Sequence, residues 1–238
     1  MPAPSDTPSV TADHRRPAFV ITIDGPAGAG KSTAARLLAR RLGLWYLDTG
    51  ATYRALAYAA LARGLDPHDV RRLLSLTRHL HLSFRPDASG ALRVWLDGCD
   101  VTRRIRTEAV TEAAAVVAQF PRVRQALVRL QRKLARGHRI VAEGRDTGSV
   151  VFPRAARKFF LTAQPAIRAK RRQRELRGLY GRAPAVTVIT RQLRARDRLD
   201  RLRTVGPLVK PRGAVVLETS RLGAAAVVER MLQHLSAR

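Results

Sequence analysis

Short apolar runs alternate along the chain with longer stretches whose apolar residues recur at helical spacing. The runs are rich in β-branched residues, as the buried strands of parallel sheets are. They predict strands in residues 18–24, "LWYL" (44–47), "HRIVAEG" (138–144), "RKFFLTA" (157–163) and "AVVLETS" (214–220). Helical spacing predicts helices in residues 31–43, 48–64, 69–80, 106–119, 121–136, 165–177, 186–203 and 222–236. This alternation predicts an α/β fold with a central parallel sheet flanked by helices.

Two parts of the chain depart from this alternation. "LSFRP" and "ALRVWLDG", separated by "DASG", predict a β-hairpin at residues 82–98. Residues 1–17 are rich in Pro, Ser and Thr and lack an apolar core, which predicts a disordered leader rather than a signal peptide. Because 238 residues can form one sizeable core, we expect a single domain in residues 18–238.

The composition limits the class of protein. No apolar run approaches the ~20 residues needed to cross a bilayer, so we expect no membrane partner. The single cysteine, Cys99, rules out an internal disulfide and fits a reducing compartment, so we expect a cytoplasmic protein.

The formal net charge of +27 is unusual for a protein of this size. Such a field attracts polyphosphates and would bind nucleic acid without specificity. Only five of the 45 basic residues are lysines, however, and arginine and alanine are both favoured by GC-rich codons. Basic residues occur in almost every segment, which favours the codon explanation, and the charge alone does not decide the function.

Residues 25–32, "GPAGAGKS", match the Walker A pattern. The glycines let successive backbone N–H groups point into one concavity, Lys31 can reach the outer phosphates, and Ser32 can hold Mg²⁺. The pattern follows a predicted strand and opens a predicted helix, whose dipole adds positive charge. It predicts a P-loop NTPase whose nucleotide-binding residues are Gly25, Pro26, Ala27, Gly28, Ala29, Gly30, Lys31, Ser32 and Thr33.

Three later segments combine arginine with polar partners. In "DTGATYR", Thr49 can cap the following helix, beside Tyr53 and Arg54; a plain cap with a surface arginine is an equal alternative. "EGRDTGSVVFP" follows a predicted strand, where open α/β sheets place ligands, so that Arg145 and Asp146 are candidates for binding.

The third segment, "RARDRLDRLR", places Arg196, Asp200 and Arg203 on one face of a helix. A solvated, charged face is the usual explanation for this spacing. A row of donor, acceptor and donor could also bind a ribose and a phosphate.

Taken together, these segments resemble the bacterial cytidylate kinases. "ITIDGPAGAGKST", "LDTGATYR", "FPRVRQAL", "EGRDTGSVVFP", "FFLTA", "RARDRLDRLR" and "PLV" occur in that family's order and spacing, over about residues 18–235. The resemblance implies a nucleoside-monophosphate kinase that uses ATP and Mg²⁺ to convert CMP or dCMP into the diphosphate. It implies a monomer with no specific nucleic-acid partner.

The resemblance also implies roles for individual residues. Thr49, Tyr53 and Arg54 would lie in the monophosphate site, and Arg124 and Asp146 would read the cytosine edge. Ribose and phosphate would be held by Arg145, Arg196, Asp200 and Arg203, and the CMP-binding insertion would be about residues 80–105.

Catalysis would need charge neutralisation and no strong base, because the acceptor is already an anion. Lys31, Arg171 and Arg172 are the candidate catalytic residues. The glycines and proline of "RGLYGRAP" predict a lid at about residues 168–185 that would exclude water. A solvated basic helix is the alternative explanation for these arginines.

Some residues depart from the family pattern. Ala115 stands where the family commonly has serine, and Arg154, Gly213 and Glu218 replace aspartates. If that serine contacts cytosine, its loss removes a hydrogen bond worth about 0.5–1.5 kcal/mol. A broader UMP/CMP kinase is therefore one alternative.

A nucleic-acid-binding P-loop protein without kinase activity is another alternative. It predicts strong, salt-sensitive binding to DNA or RNA. The chain lacks aromatic residues interleaved with the basic ones, as stacking platforms need. We expect only weak, salt-screened binding of nucleic acid.

Overall fold

A computed structural model describes residues 19–86 and 92–236. The predicted leader (1–17) and the hairpin turn "DASG" lie outside the described residues. Within the described part, none of the helices is long and apolar enough to span a membrane.

Within the described residues, five parallel strands form the central sheet, and all five were predicted from the apolar runs. Their bounds are β1 Val20–Asp24, β2 Trp45–Asp48, β6 Ile140–Glu143, β7 Arg157–Thr162 and β8 Val215–Glu218. Their order in the sheet is β2-β6-β1-β7-β8. In the register of the sheet, Ile23 of β1 lies beside Glu143 of β6, so that the carboxyl ends of both strands meet at one edge.

The part of the chain that the structure describes contains eight α-helices, which complete the α/β fold. They are α1 Lys31–Leu42, α2 Thr49–Leu61, α3 Val70–Arg78, α4 Glu108–Val117, α5 Pro121–Ala135, α6 Pro165–Tyr180, α7 Val186–Leu202 and α8 Ala224–Ser236. The core lies on both faces of the sheet. On one face Leu38 of α1 and Met231 of α8 pack against Ile21 and Phe159. On the other, Leu56 of α2 and Leu127 of α5 belong to the cluster that covers β2 and β6.

A second, antiparallel sheet contains the predicted hairpin, β3 Leu82–Pro86 and β4 Leu92–Leu96. The short strand β5 Cys99–Asp100 adds a third strand that the sequence analysis missed, because two residues carry no periodicity. The buried side chains of Phe84 in β3 and Val94 in β4 belong to the same core cluster as α2 and α5.

Local chemistry explains several helix boundaries. Asp48, not the predicted Thr49, caps α2, because its Oδ1 accepts a hydrogen bond from Ala51 N at 3.0 Å. Residues 104–106 form a 3₁₀ turn, and α4 begins only after Thr107 caps it. Helix α6 continues past residue 177 to Tyr180 and ends at Gly181, whose φ of 71° is left-handed.

Helices α6 and α7 form a hairpin, here called the lid hairpin, that packs on the Walker region. Ala169, Ile189 and Leu193 form a small apolar cluster with Ala27. Arg168 donates to Asp197 Oδ2 at 2.5 Å and to the carbonyl oxygen of Ala27 at 3.0 Å. The ion pair is buried, so the hairpin is attached to the loop by both packing and charge.

Candidate functional site

Residues 25–33, here called the Walker loop, connect β1 to α1 in a tight backbone turn. A Cβ at Gly25 would lie 2.1 Å from the carbonyl oxygen of Leu161, and one at Gly28 would lie 2.9 Å from that of Arg168. Both glycines also have positive φ, of 143° and 76°. The loop can therefore approach its neighbours this closely only with glycine at these positions.

Lys31 lies at the start of α1, and its side chain is buried. Its Nζ donates to the carbonyl oxygen of Pro26 at 2.8 Å, within the same loop. Burial, and next the charge of Arg145, lower the pKa of Lys31 to about 7, although Glu143 acts in the opposite direction. A bound phosphate would restore the charged form, because an adjacent anion favours an ammonium group.

Glu143 is a site residue that the sequence analysis missed. The Ser32 hydroxyl donates to its Oε1 at 2.6 Å, and the Tyr46 hydroxyl donates to the same atom at 3.1 Å. Its position in the sequence could have indicated this role. Glu143 is the last residue of β6, the strand beside β1, and α/β sheets bind ligands at the carboxyl ends of their strands.

The oxygen atoms of Ser32 and Glu143 fit a hard cation such as Mg²⁺. Within the described residues, no group of three His, Cys, Asp or Glu side chains could hold a metal by itself. A magnesium ion here would therefore depend on phosphate oxygens and water for most of its ligands, as is usual for Mg²⁺.

All nine predicted monophosphate-site residues line one cavity of about 200 Å³, here called the inner cavity. It opens beside Lys31 and Ser32 of the Walker loop. The nine residues come from four separate segments, and they are Thr49, Tyr53, Arg54, Arg124, Arg145, Asp146, Arg196, Asp200 and Arg203.

Carboxylates fix most of the arginines in the inner cavity. Arg54 donates to Asp48 Oδ2 at 2.7 Å, Arg145 to Asp200 Oδ2 at 3.0 Å, and Arg203 to Asp200 Oδ1. Burial raises the pKa of Asp200, but Arg145 and Arg203 outweigh it and hold that pKa below its usual value. Asp200 thus stays ionised and orients two guanidinium groups.

Arg124 and Asp146 line the inner cavity and form a buried ion pair. The ring of Tyr53 lies 5.2 Å from the Arg124 guanidinium, a cation–π contact. The Nε atoms of Arg54, Arg124 and Arg203 are buried and have no hydrogen-bond partner within the described part of the chain. A polar ligand or water would be needed to satisfy them.

Arg196 adds a cation that forms an ion pair with none of the described carboxylates. No hydrogen bond or ion pair joins its guanidinium to any described residue. Burial, and next the charge of Arg145, lower its pKa to about 10, so it remains charged at neutral pH. The inner cavity therefore fits a ligand with more than one negative charge.

A second cavity of about 700 Å³, here called the outer cavity, lies between the Walker loop, α6 and the loop after β8. Arg171 lines it, but donates to Thr219 Oγ1 at 2.9 Å and to the carbonyl oxygen of Thr219 at 2.6 Å. Thr219 donates in turn to the carbonyl oxygen of Ala29. Residues 219–224 also line this cavity. No sequence motif indicated a binding role for them, although they follow the carboxyl end of a strand.

Arg172, the other predicted catalytic arginine, lines both cavities and pairs with Glu175 at 2.9 Å. Residues 80–105 contribute none of the described residues that line the inner cavity. Arg106 and Thr111, just beyond that range, do line it, as does Ala115.

A Walker loop on a five-stranded parallel sheet, beside the cationic inner cavity, is the arrangement of a P-loop phosphotransferase. The fold is similar to that of an uncharacterized protein from Eubacterium ventriosum, with a TM-score of 0.50, 10% identity, and coverage of 92% of this chain and 99% of that one.

The family model for cytidylate kinase matches residues 21–237. The chain is 46% identical to a cytidylate kinase of Pelotomaculum thermopropionicum, over 91% of this chain and 96% of the relative. It is 45% identical to that of Geobacillus kaustophilus, over 92% and 96%. In Gloeobacter violaceus, a bifunctional pantoate ligase/cytidylate kinase is 42% identical over 92% of this chain but only 42% of its own length. The chain belongs to the cytidylate kinase family and is an enzyme, a phosphotransferase.

Proposed function

We propose that the protein transfers the γ-phosphoryl group of ATP to CMP or dCMP, giving the nucleoside diphosphate and ADP. Membership in the family supports CMP as the acceptor. The observation that carries the proposal is the inner cavity, where nine residues of four segments meet beside the Walker loop.

The acceptor would bind with its base near Arg124 and Asp146, which offer a donor and an acceptor to the cytosine edge. Its phosphate would lie among the guanidinium groups of Arg54, Arg145 and Arg196. Asp200 and Arg203 would hold the ribose.

The ATP phosphates would lie in the Walker loop, with adenosine in the outer cavity. Lys31 would then exchange its hydrogen bond with Pro26 for the nucleotide's outer phosphates. A Mg²⁺ ion, held by Ser32 and the phosphates, would supply further neutralisation of charge. Thr33 and the glycines of the Walker loop would complete the phosphate-binding site.

Arg171 and Arg172 remain proposed catalytic residues. Arg172 lies at the boundary of the two cavities, which supports a direct role. The bonds from Arg171 to Thr219 support a role in shaping the outer cavity. We also propose that residues 168–185 form a lid that closes over the nucleotides and excludes water, and that residues 80–105 form a CMP-binding insertion. The enzyme would be a cytoplasmic monomer with no specific nucleic-acid partner.

A coupled assay of ADP release with Mg-ATP tests the proposal, using CMP, dCMP, UMP, AMP and GMP as acceptors. We expect turnover with CMP and dCMP. Comparable turnover with UMP would show that base selection has broadened, for which Ala115 is the candidate cause. Folded protein that binds ATP but phosphorylates none of these acceptors would contradict the proposal.

A further inference from the structure

Arg106 lies where the inner and outer cavities meet. Six described residues line both cavities, and they are Gly28, Lys31, Ser32, Arg106, Arg172 and Glu175. Three of them belong to the Walker loop and two to α6 of the lid hairpin. Arg106 comes from neither, so it approaches the boundary from another part of the chain. A phosphoryl group that moves between the two nucleotides must cross this boundary.

The backbone of Arg106 is held on both sides. Ile105, before it, is fully buried, and Thr107, after it, caps α4. The Arg106 N–H donates to the carbonyl oxygen of Arg103 at 3.0 Å within the 3₁₀ turn. The Tyr180 hydroxyl, at the end of α6, donates to the Arg106 carbonyl oxygen at 2.7 Å. The side chain therefore extends from a fixed base that also contacts the lid hairpin.

The guanidinium of Arg106 is not engaged by any residue that the structure describes. Within the described residues it makes no hydrogen bond and no ion pair, and its side chain is half-buried. The other two arginines near the boundary differ in this respect, because Arg171 donates to Thr219 and Arg172 pairs with Glu175. Five N–H donors are thus available to a ligand.

The charge of Arg106 acts on the inner cavity. Asp48 caps α2 there, and burial raises its pKa, but Arg54 and then Arg106 outweigh burial and hold the pKa below its usual value. Arg106 is therefore close enough to stabilise negative charge between the two cavities.

We propose that Arg106 is a further catalytic residue, whose guanidinium binds the phosphoryl group as it passes from donor to acceptor. The inference rests on the proposed kinase function. An oxygen of the acceptor phosphate forms a bond to the γ-phosphorus while the bond from that phosphorus to the β-bridging oxygen breaks. The electron pair of the broken bond stays on ADP. Arg106 keeps its protons and contributes charge and hydrogen bonds.

The test compares Arg106→Ala and Arg106→Lys with Arg103→Ala, a control three residues earlier in the chain whose side chain is exposed and lines neither cavity. The binding probe is a bisubstrate compound, cytidine and adenosine joined 5′ to 5′ by five phosphates. Calorimetry gives its affinity, and that of ATP and CMP alone, and the coupled assay gives kcat with CMP.

We expect Arg106→Ala to weaken bisubstrate binding and to lower kcat, each by about 10- to 100-fold, as for the loss of a charge-assisted hydrogen bond. Affinity for ATP alone or CMP alone should change by less than about 3-fold, because each lies on one side of the boundary. Arg106→Lys should recover part of the loss, and Arg103→Ala should behave as wild type.

Unchanged bisubstrate affinity and kcat in Arg106→Ala would overturn the assignment, as would an equal loss for ATP alone. Wild-type protein that does not phosphorylate CMP would overturn the proposed function instead. Should the alanine variant be unstable in thermal denaturation, Arg106→Gln gives the same comparison with the bulk of the side chain kept.

Discussion

The Walker loop and the inner cavity both suit phosphate groups, but they are built differently. The loop is one continuous segment, residues 25–33, that would bind phosphate through backbone N–H groups at the start of α1. The inner cavity uses side chains from four segments, fixed by ion pairs such as Arg145–Asp200 and Arg124–Asp146. A backbone cradle tolerates changes of side chain except at glycines and at Lys31, whereas the cavity depends on each partner of each pair. The two regions should therefore fail differently when mutated.

Arg124→Ala should have the largest effect, and on stability. It leaves the buried Asp146 carboxylate without its partner, which costs about 3–5 kcal/mol of the free energy of unfolding. Urea denaturation measures the change, with exposed Arg122→Ala on the same helix as the control. A loss below about 1 kcal/mol would show that the pair does not hold the cavity together.

Lys31→Ala should instead remove activity and leave the fold intact. We expect kcat to fall by about 10²–10³-fold, as when an enzyme loses one donor that stabilises the transition state. Stability should not fall greatly, because the substitution removes a buried charge. Steady-state kinetics measures the loss of activity and thermal denaturation measures the stability, with the exposed Lys133→Ala as the control. A large loss of stability would remove the contrast with Arg124.

Ala115→Ser should act on selectivity alone. Ala115 lines the inner cavity, and a hydroxyl there can add one hydrogen bond worth about 0.5–1.5 kcal/mol. The ratio of kcat/KM for CMP to that for UMP should rise by about 2- to 12-fold. An unchanged ratio would mean that this position does not face the base.

The smallest expected effect is the uptake of a proton by Lys31 when ATP binds. Its pKa of about 7 in the free protein lies below the usual 10.5, so the unfolded chain binds more protons between these values and stability rises with pH across that window. ATP should restore the charge and take up a fraction of one proton near pH 8.5. Calorimetry in buffers of different ionisation enthalpy measures the uptake, and Lys31→Ala should abolish it. Equal uptake in that variant would assign the proton elsewhere.

The sequence determined the central sheet and the Walker loop because their signals are local. Five apolar runs became the five parallel strands, and the pattern "GPAGAGKS" became a loop between β1 and α1. Caps were harder to assign, since Asp48 and Thr49 are both good N-caps and only the observed backbone distinguishes them. Strand β5 was missed because it has only two residues.

Three segments already made eight of the nine residues proposed for the acceptor site candidates, but each segment alone also fits an ordinary charged surface. Only the family resemblance added Arg124 and favoured binding over that alternative. The tertiary structure decided that they line one cavity. It also decided that Arg171 donates hydrogen bonds to Thr219, whereas the guanidinium of Arg106 lies at the boundary without a hydrogen bond to any described residue. No sequence motif indicated this role for Arg106. The reason is physical. A backbone turn is encoded by neighbouring residues, whereas the partner of an arginine side chain depends on which distant carboxylate or carbonyl the fold brings within about 3 Å of it.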